Sequence, residues 1–418
     1  SGTTGPPKGV MLSHNNVAWT ARAAAELIGA GPADALLSYL PLSHIAEQMF
    51  SIHIPITAGY AVYFAESMEK LPDNLKEVQP TLFFAVPRIY EKFYAGVQSK
   101  LEAAPDLRRK LVALAQRIGT VHNDAANRGE LPHPVVDLVY GAAQTVIFDK
   151  LKTALGLGRA RVCVTGAAPI AAEIIEFFAS LDIVIREVYG QSEGCGPTSF
   201  NVAGRTRFGS VGPAFPGVDV VIADDGEIKV SGPNVFMGYF KDAEATAETL
   251  VDGWLHSGDL GRIDSDGFLH ITGRKKDLII TAGGKNIAPK NIEAALKDHP
   301  LVGEAVVIGD RRKFLTALIA LDAERAEAKS AELGVSLEDL GDHPTIRADL
   351  ERHVEAVNEH LARVEQVKRF SVLPRPFTPQ SGELTPTLTV KRRVVSERYA
   401  EAIENMYGGD LEDRAKAS

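Results

Sequence analysis

Between Ala160 and Glu193 the chain reads "ARVCVT", "GAAP", "IAAEIIEFFASL", "DIVIREV" and "YGQSEG" in succession. A short apolar run, a turn, a helix-period segment, a second apolar run and a glycine-bearing loop spell strand, helix, strand. Strands joined through a crossover helix lie parallel, and the connection is right-handed. Ligands of open α/β sheets gather at the carboxyl ends of such strands. The pattern therefore sets an α/β fold and brings "GAAP" and "YGQSE" to one crevice.

The 418 residues leave room for two or three domains around that unit. Upstream, "VMLSHNNVAWTARAAAELIGAG" predicts a short strand, a polar cap over Ser13–Asn15, and a helix presenting Val17, Ala21, Ala24 and Ile28 on one face before Gly29 ends it. From Pro87 to Pro134 the text is helical and charged, a solvent-facing layer to which no chemistry is assigned. From Arg205 to Arg274, aspartate-glycine turns in "VVIADDGEIKVSG" and "LGRIDSDGFLHITG" predict hairpins and hence a β-rich subdomain or barrel. "GRKKDLIITAGGKNIAPKNIEAAL" then passes from strand through a glycine turn to a helix, and "VGEAVVIGDRRKFLTALIAL" predicts a hairpin. Residues 323–370 are expected to be helical, and the tail after Met406 frayed. The expected architecture is a large domain, 1–273, with parallel βαβ sheets and a β-rich part over about 205–273, followed by a smaller α+β domain, 274–418.

A net charge of −9 argues against a nucleic-acid partner, which would call for clustered Lys and Arg. Only Cys163 and Cys195 occur, so no disulfide framework or cysteine metal site is expected, and a reducing cytoplasm is the natural setting. No apolar run reaches the roughly 20 residues of a membrane-spanning helix, which leaves peripheral membrane contact open. The first nine residues, "SGTTGPPKG", combine glycines that let successive amides face inward with the hydroxyls of Ser1, Thr3 and Thr4 and the charge of Lys8. Phosphate is the guest such a nest suits, although the spacing is not that of a Walker loop, and a plain turn has the same composition.

Seven segments in order, "SGTTGPPKGVMLSH", "YLPLSHIAEQ", "GAAP", "YGQSEG", "GWLHSGDLGRID", "GRKKDLIITAGGKNIAPKNIE" and "GELTPTLTVKRR", resemble the adenylate-forming superfamily of acyl-CoA synthetases, luciferases and adenylation domains. "YLPLSHIAEQ" with "DLIITAGGKNIAP" most resembles its long-chain and bubblegum-type fatty acyl-CoA synthetases. The resemblance implies ligation of a long-chain fatty acid to coenzyme A, with ATP and Mg²⁺, through an acyl-adenylate. ATP would be held by Ser1, Gly2, Thr3, Thr4, Gly5 and Lys8, by Gly166, Ala167, Ala168 and Pro169 along the adenine, and by Tyr189, Gly190, Gln191 and Ser192. Glu193 would hold Mg²⁺, a hard cation that takes carboxylate and phosphate oxygens. Asp259, with Arg274 beside it, would take the ribose. Each of these has a bland counterpart taken singly: a solvated loop carboxylate for Glu193, a core tyrosine for Tyr189, a turn aspartate for Asp259. His44 would border the substrate carboxylate and gate an acyl tunnel, and Ser43–His44, with no aspartate to nominate, is not a hydrolase triad. Trp254, Phe177 and Phe178 read as core.

The resemblance further implies that Lys276 is the hinge of a mobile small domain, whose "AGGKNIAP" borders the CoA channel through Gly283, Gly284 and Lys285. It implies too that the large domain is amino-terminally incomplete, since the family's normally starts well upstream of the glycine-threonine loop. One departure matters. Where the related enzymes carry a lysine after "TPT", this chain has Thr389, with Lys391 two residues on. Either Lys391 supplies the cation through a local shift or adenylation is impaired. Two rival readings are an acyl-AMP ligase serving a carrier protein and a non-catalytic nucleotide- or acyl-binding module. The uninterrupted "GRKKDLIITAGG" favours CoA over the first, and Thr389 motivates the second.

Overall fold

The computed structural model describes residues 8–385 and 389–415. The described residues form two compact units: one takes in residues 8–257 together with Gly261–Ile271, the other Gly258–Leu260 and the described residues from Thr272 on.

In the first unit, β1 (Val10–Met11) leads into α1 (His14–Ile28). Ser13 caps that helix reciprocally: its Oγ accepts the Asn16 amide at 3.0 Å, and Asn16 Oδ1 accepts the Ser13 amide at 2.8 Å. Gly29, left-handed at φ 59°, ends it. There follow β2 (Ala35–Ser38), α2 (Ile45–Gln48), β3 (Ala61–Phe64), β4 (Leu82–Ala85), α3 (Pro87–Glu102), α4 (Asp106–Asn127), α5 (Pro134–Ala143), β5 (Val162–Gly166), α6 (Ala172–Ser180), β6 (Ile185–Gln191) and β7 (Gly196–Phe200). These strands make one sheet in the order β3-β2-β4-β5-β6-β7, parallel throughout except for the antiparallel β6–β7 pair. Strands covered on both faces read as continuous apolar runs, and β2, β4 and β5 are buried along their whole length. Tyr90, Phe83 and Phe178 anchor the core between the sheet and its helices.

The β-rich part is a five-stranded sheet: β8 (Asp219–Ile222), β9 (Glu227–Ser231), β11 (Leu250–Val251), β12 (Trp254–Ile263) and β13 (Leu269–Arg274), in the order β11-β12-β9-β8 with β13 also on β12. Both expected hairpins turn through a left-handed glycine, Gly226 and Gly267. The remaining strand, β10 (Gly238–Tyr239), instead pairs antiparallel with β1.

The second unit continues with β14 (Ile279–Ile280), β15 (Asn286–Ile287), α7 (Pro289–Lys297), β16 (Val302–Ile308), β17 (Leu315–Leu321), α8 (Ala323–Leu333), α9 (Pro344–Glu359), β18 (Val367–Leu373), α10 (Arg392–Arg398) and α11 (Ala400–Ala415). Its sheet runs β16-β17-β18, antiparallel then parallel, with β17 buried end to end.

Four expectations need correcting. Tyr189, Gly190 and Gln191 belong to β6 rather than to a loop after it, because β7 folds back and pairs with them across a register shift at Tyr189/Gly190. The crossover helix starts at Ala172, two residues later than its apolar pattern implied, since Ala171 is extended. The helical stretch ends before 370: Val367, Phe370 and Leu373 are buried in a strand beside β17. The tail does not fray at Met406, for α11 continues to Ala415 and the Tyr407 hydroxyl donates to the carbonyls of Phe314 and Ile308 at 3.0 and 3.2 Å.

Helix α4 packs on α6 so closely that a Cβ at Gly119 would lie 2.2 Å from the Ser180 carbonyl oxygen. Gly119→Ala is therefore expected to destabilise the first unit by about 2 kcal/mol. Gly96→Ala in α3, where a Cβ meets nothing within 4 Å, should be neutral or stabilising. Thermal melts of the two variants check the contrast, and equal midpoints would refute it.

Candidate active site

Five parallel strands point their carboxyl ends to the same edge of the main sheet, and the segments leaving that edge carry most of the sequence candidates. From β2 the chain runs to His44, which caps α2: its Nδ1 accepts the Ala46 amide at 3.2 Å, and its ring lies 6.1 Å from that of Phe84 on β4. Burial disfavours its cationic form and pushes its pKa down. From β5 comes Gly166, where a Cβ would sit 2.8 Å from the Val188 carbonyl oxygen, so only glycine fits. Ala167, Ala168 and Pro169 follow, exposed, with Ala167 held at φ 73°, an uncommon conformation for a residue with a side chain. At the end of β6, Gly190 approaches the Gly196 carbonyl too closely for any side chain. The half-buried Tyr189 and Gln191 flank it, Ser192 opens a single 3-10 turn, and Glu193 sits within that turn.

Glu193 is not a solvated loop carboxylate. It is 6% exposed, and the Tyr239 hydroxyl donates to its Oε1 at 2.9 Å. Tyr239 also connects this turn to the glycine-threonine loop, for Lys8 Nζ lies 4.8 Å from the centre of its ring and 3.8 Å from Asp242 Oδ2. The backbone repeats the connection. The Phe240 amide donates to Gly9 O at 2.7 Å, the Met237 amide to Met11 O at 2.9 Å, and the Phe236 amide to Glu193 O at 2.9 Å. Asn234 Nδ2 donates to Gly194 O at 3.0 Å, and Asn16 Nδ2 to Pro233 O and Val235 O at 2.7 and 2.9 Å. Lys8 and Glu193, 185 residues apart, thus meet across one tyrosine. Ser1, Gly2, Thr3, Thr4 and Gly5 lie outside the described residues.

The second unit holds the other candidates. Arg274 Nε stands 3.2 Å from Asp259 Oδ1, so these two are together. Lys276 is in the short 3-10 turn Lys275–Asp277 that follows β13. Gly283, Gly284 and Lys285 form the turn between β14 and β15, closed by Gly284 N to Thr281 O at 2.8 Å and Lys285 N to Thr281 Oγ1 at 3.2 Å. Thr389 is bonded to Thr385: the Thr385 amide donates to its carbonyl at 2.8 Å, and its own amide to Thr385 Oγ1 at 3.0 Å. Lys391 precedes α10, with its amide donating to Glu383 O at 2.7 Å.

Two participants escaped sequence reasoning. Tyr239 stands in the apolar run "NVFMGYF", which signals a strand and nothing more; its partner is 46 residues away. Glu383, fully buried, receives Arg375 at 2.6 Å, Arg398, Ser381 and Tyr399, and so fastens both flanks of the Thr389–Lys391 segment. Burial would raise its pKa, but the hydrogen bonds from Arg375, Ser381 and Arg398 outweigh that and bring it down to about 2.

Among the described residues no group of three or more His, Cys, Asp or Glu side chains forms a metal cage. A single buried carboxylate at the sheet edge is nonetheless what Mg²⁺ uses when most of its ligands are waters and substrate phosphates. Glu193 therefore fits such an ion. No helix among the described residues is long and apolar enough to cross a membrane.

The parallel sheet with its edge loops, and the smaller α+β unit, are each of the adenylate-forming fold. The family model of AMP-binding enzymes matches residues 1–240 and that of the AMP-binding enzyme C-terminal domain residues 276–410, so the chain belongs to this family. It is 39% identical to the long-chain-fatty-acid–CoA ligase ACSBG2 of Gallus gallus over 97% of its own length and 57% of that protein. It is 38% identical to the long-chain-fatty-acid–CoA ligase FadD15 of Mycobacterium bovis, covering 97% of this chain and 68% of the relative. The chain thus spans less than two thirds of the length of the avian relative. Among solved structures, ATP-bound MatB from Rhodopseudomonas palustris superposes with a TM-score of 0.66 at 25% identity, over 96% of this chain and 67% of that one.

The Glu383 cluster has a pH signature. Its lowered pKa means that its contribution to stability is present above the ordinary carboxylate pKa near 4.5 and is lost as pH falls toward 2. Glu383→Gln is expected to cost the second unit about 2 kcal/mol at pH 7, the partner guanidiniums being partly exposed. The gap between variant and wild type should narrow below pH 4.5 and be nearly closed at pH 2. Urea denaturation at the two pH values measures it, and a gap independent of pH would exclude the charged form as its source.

Proposed function

We propose that this chain carries the ATP-binding and thioester-forming portions of a long-chain fatty acid–CoA ligase that works through an acyl-adenylate. The observation that carries the reading is the meeting of Lys8 and Glu193 across Tyr239, at the sheet edge where the segments bearing Gly166–Pro169 and Tyr189–Ser192 also emerge. A cation and a buried carboxylate so arranged suit a polyphosphate and its divalent ion. The names of the relatives, both long-chain-fatty-acid–CoA ligases, supply the substrate class.

In this reading the fatty acid carboxylate oxygen attacks the α-phosphorus of ATP and pyrophosphate leaves. The CoA sulfur then attacks the acyl carbonyl, its proton passes to solvent, and AMP leaves. No nucleophilic side chain is required, because the work is the orientation of two anions and the neutralisation of their charge. Lys8 and the amides beside it hold phosphate oxygens. Ala167–Pro169 and Tyr189 flank the adenine, Gly190–Ser192 let the backbone come close, and the Asp259–Arg274 pair takes the ribose. Glu193 would hold Mg²⁺, which when bound neutralises phosphate charge. His44, kept neutral by burial, borders the acyl end. Lys276 is the hinge of the smaller domain, residues 274–418, and Gly283–Lys285 border the pantetheine path.

Thr389 cannot supply the charge that the resemblance calls for. Val390 is bridged to Leu384 in extended backbone, and in such a segment positions two apart point to the same side. That supports Lys391 as the working cation.

The test measures both half-reactions in the full-length protein with ATP, Mg²⁺ and palmitate: pyrophosphate release without CoA, and acyl-CoA when CoA is added. Both products are expected, and Glu193→Gln should remove both while leaving the melting temperature within a few degrees. Pyrophosphate without thioester would replace the reading with an acyl-AMP ligase; nucleotide binding with neither product would replace it with a non-catalytic module.

The cation assignment has its own check. Lys391→Ala should lower pyrophosphate release by roughly 100-fold, and adding Thr389→Lys to that variant should restore most of it. An unimpaired Lys391→Ala enzyme would remove Lys391 from the reaction.

A further inference from the structure

Side chains along β6 alternate between the two faces of the main sheet. Ile185 and Glu187 go to one face. Arg186 and Val188 go to the other, where Arg186 stands in register with Val164 of β5 and, beyond it, Phe84 of β4. Close approaches show what else this second face holds. A Cβ at Gly166 would lie 2.7 Å from Val188 Cγ1 and 3.7 Å from Phe84 Cε2, and the Phe84 ring has those of His44 and Phe50 at 6.1 and 5.5 Å. Arg186 therefore shares a face with His44, the residue placed at the acyl end of the site, and lies two residues, about 7 Å, down the strand from Val188. The positions in register with it and next to it on this face, Val164, Phe84 and Val188, are all apolar.

An arginine withdrawn from water ordinarily comes with a carboxylate. Arg161 has Asp34 at 2.5 Å, Arg274 has Asp259 at 3.2 Å, and Arg375 has Glu383 at 2.6 Å. Arg186 has none. Among the described residues no hydrogen bond or ion pair reaches its side chain, and its Nε is sealed from solvent without a partner. Glu187, the nearest acid in sequence, faces the other way and accepts the Gly209 amide at 3.0 Å. Burial pushes the guanidinium's pKa down, and no carboxylate opposes the shift. A lysine or histidine so placed could shed its proton, but an arginine stays charged and keeps all its donors. Such a group is satisfied when a ligand brings it oxygen atoms, and the ligand expected along the His44 face is the acyl chain.

We propose that Arg186 receives an oxygen-bearing group carried on the acyl chain, a carboxylate or a hydroxyl, so that the ligase favours oxygenated fatty acids over their plain counterparts. This rests on the fatty acid–CoA ligase reading above and names the substrate class within it. A carboxylate would take two parallel N–H bonds from the guanidinium and a hydroxyl one, whereas a plain chain would leave the cation against methylene groups.

Pyrophosphate release by the full-length protein with ATP and Mg²⁺ tests it on two matched pairs of acids: octanedioate against octanoate, and ricinoleate, which carries a hydroxyl within its chain, against oleate. The wild type should favour the oxygenated member of at least one pair, measured as the ratio of kcat/KM values. Arg186→Met, which keeps the length of the side chain without its charge, should lower that ratio about tenfold or more. Arg186→Lys should keep part of it, a point charge replacing the planar fork. Arg186→Gln serves if the methionine variant does not fold, judged by circular dichroism. A wild type with no preference in either pair would overturn the proposal and leave the ligase reading standing. So would a methionine variant that melts lower yet keeps the wild-type ratios, since Arg186 would then serve only the frame of the protein. If none of these acids, nor palmitate, yields pyrophosphate, the ligase reading itself fails and this inference falls with it.

Discussion

The hydrogen bond from Tyr239 to Glu193 is the joint on which the site in the first unit depends. Residues 233–240 run between the helix that follows the glycine-threonine loop and the turn that ends β6, bonding to both sides with backbone and side chains. A carboxylate so buried needs a hydrogen-bond donor, and the phenol supplies one. Because the same ring lies against Lys8, the two charged groups keep a fixed relation without touching each other. Displacing the segment would cost at once a short antiparallel ribbon, the anchors from Asn16 and Asn234, and the hold on the carboxylate.

The second unit repeats this economy with a different group. Glu383 collects two arginines, a serine and a tyrosine around one buried carboxylate, and the chain between and beside those partners carries Thr389 and Lys391. The backbone on either side of these residues is thus tied down by charge-assisted bonds. A threonine at 389 does not disturb that frame, since its backbone bonds to Thr385 do not depend on the side chain at 389.

How far the site could be read beforehand varied with the range of the interactions involved. The parallel unit from β5 to β6 was legible because its signals are local: two apolar runs, a helix-period segment, and glycines where a side chain would strike Val188 or Gly196. The end of β6 was not, because Tyr189–Gln191 are held in strand by β7, whose register shift no local pattern announces. Val367–Leu373 failed as a helix for a similar reason, since only the neighbouring β17 gives its apolar residues a place to pack. Tyr239 and Glu383 are ordinary letters in sequence. Their importance comes from partners brought by the fold.

The sequence by itself determined the fold class, the hairpins of the β-rich part, the edge of the sheet at which ligand-binding segments gather, and membership in the AMP-binding enzymes, for these follow from periodicity, turn chemistry and ordered motifs. Only the tertiary structure decided that Glu193 is buried against a phenol, that Lys8 shares that phenol, and that Arg186 has its Nε buried without a partner among the described residues. The physical reason is that hydrogen bonding and burial depend on distance in space, whereas periodicity records only which side of its own helix or strand a residue occupies.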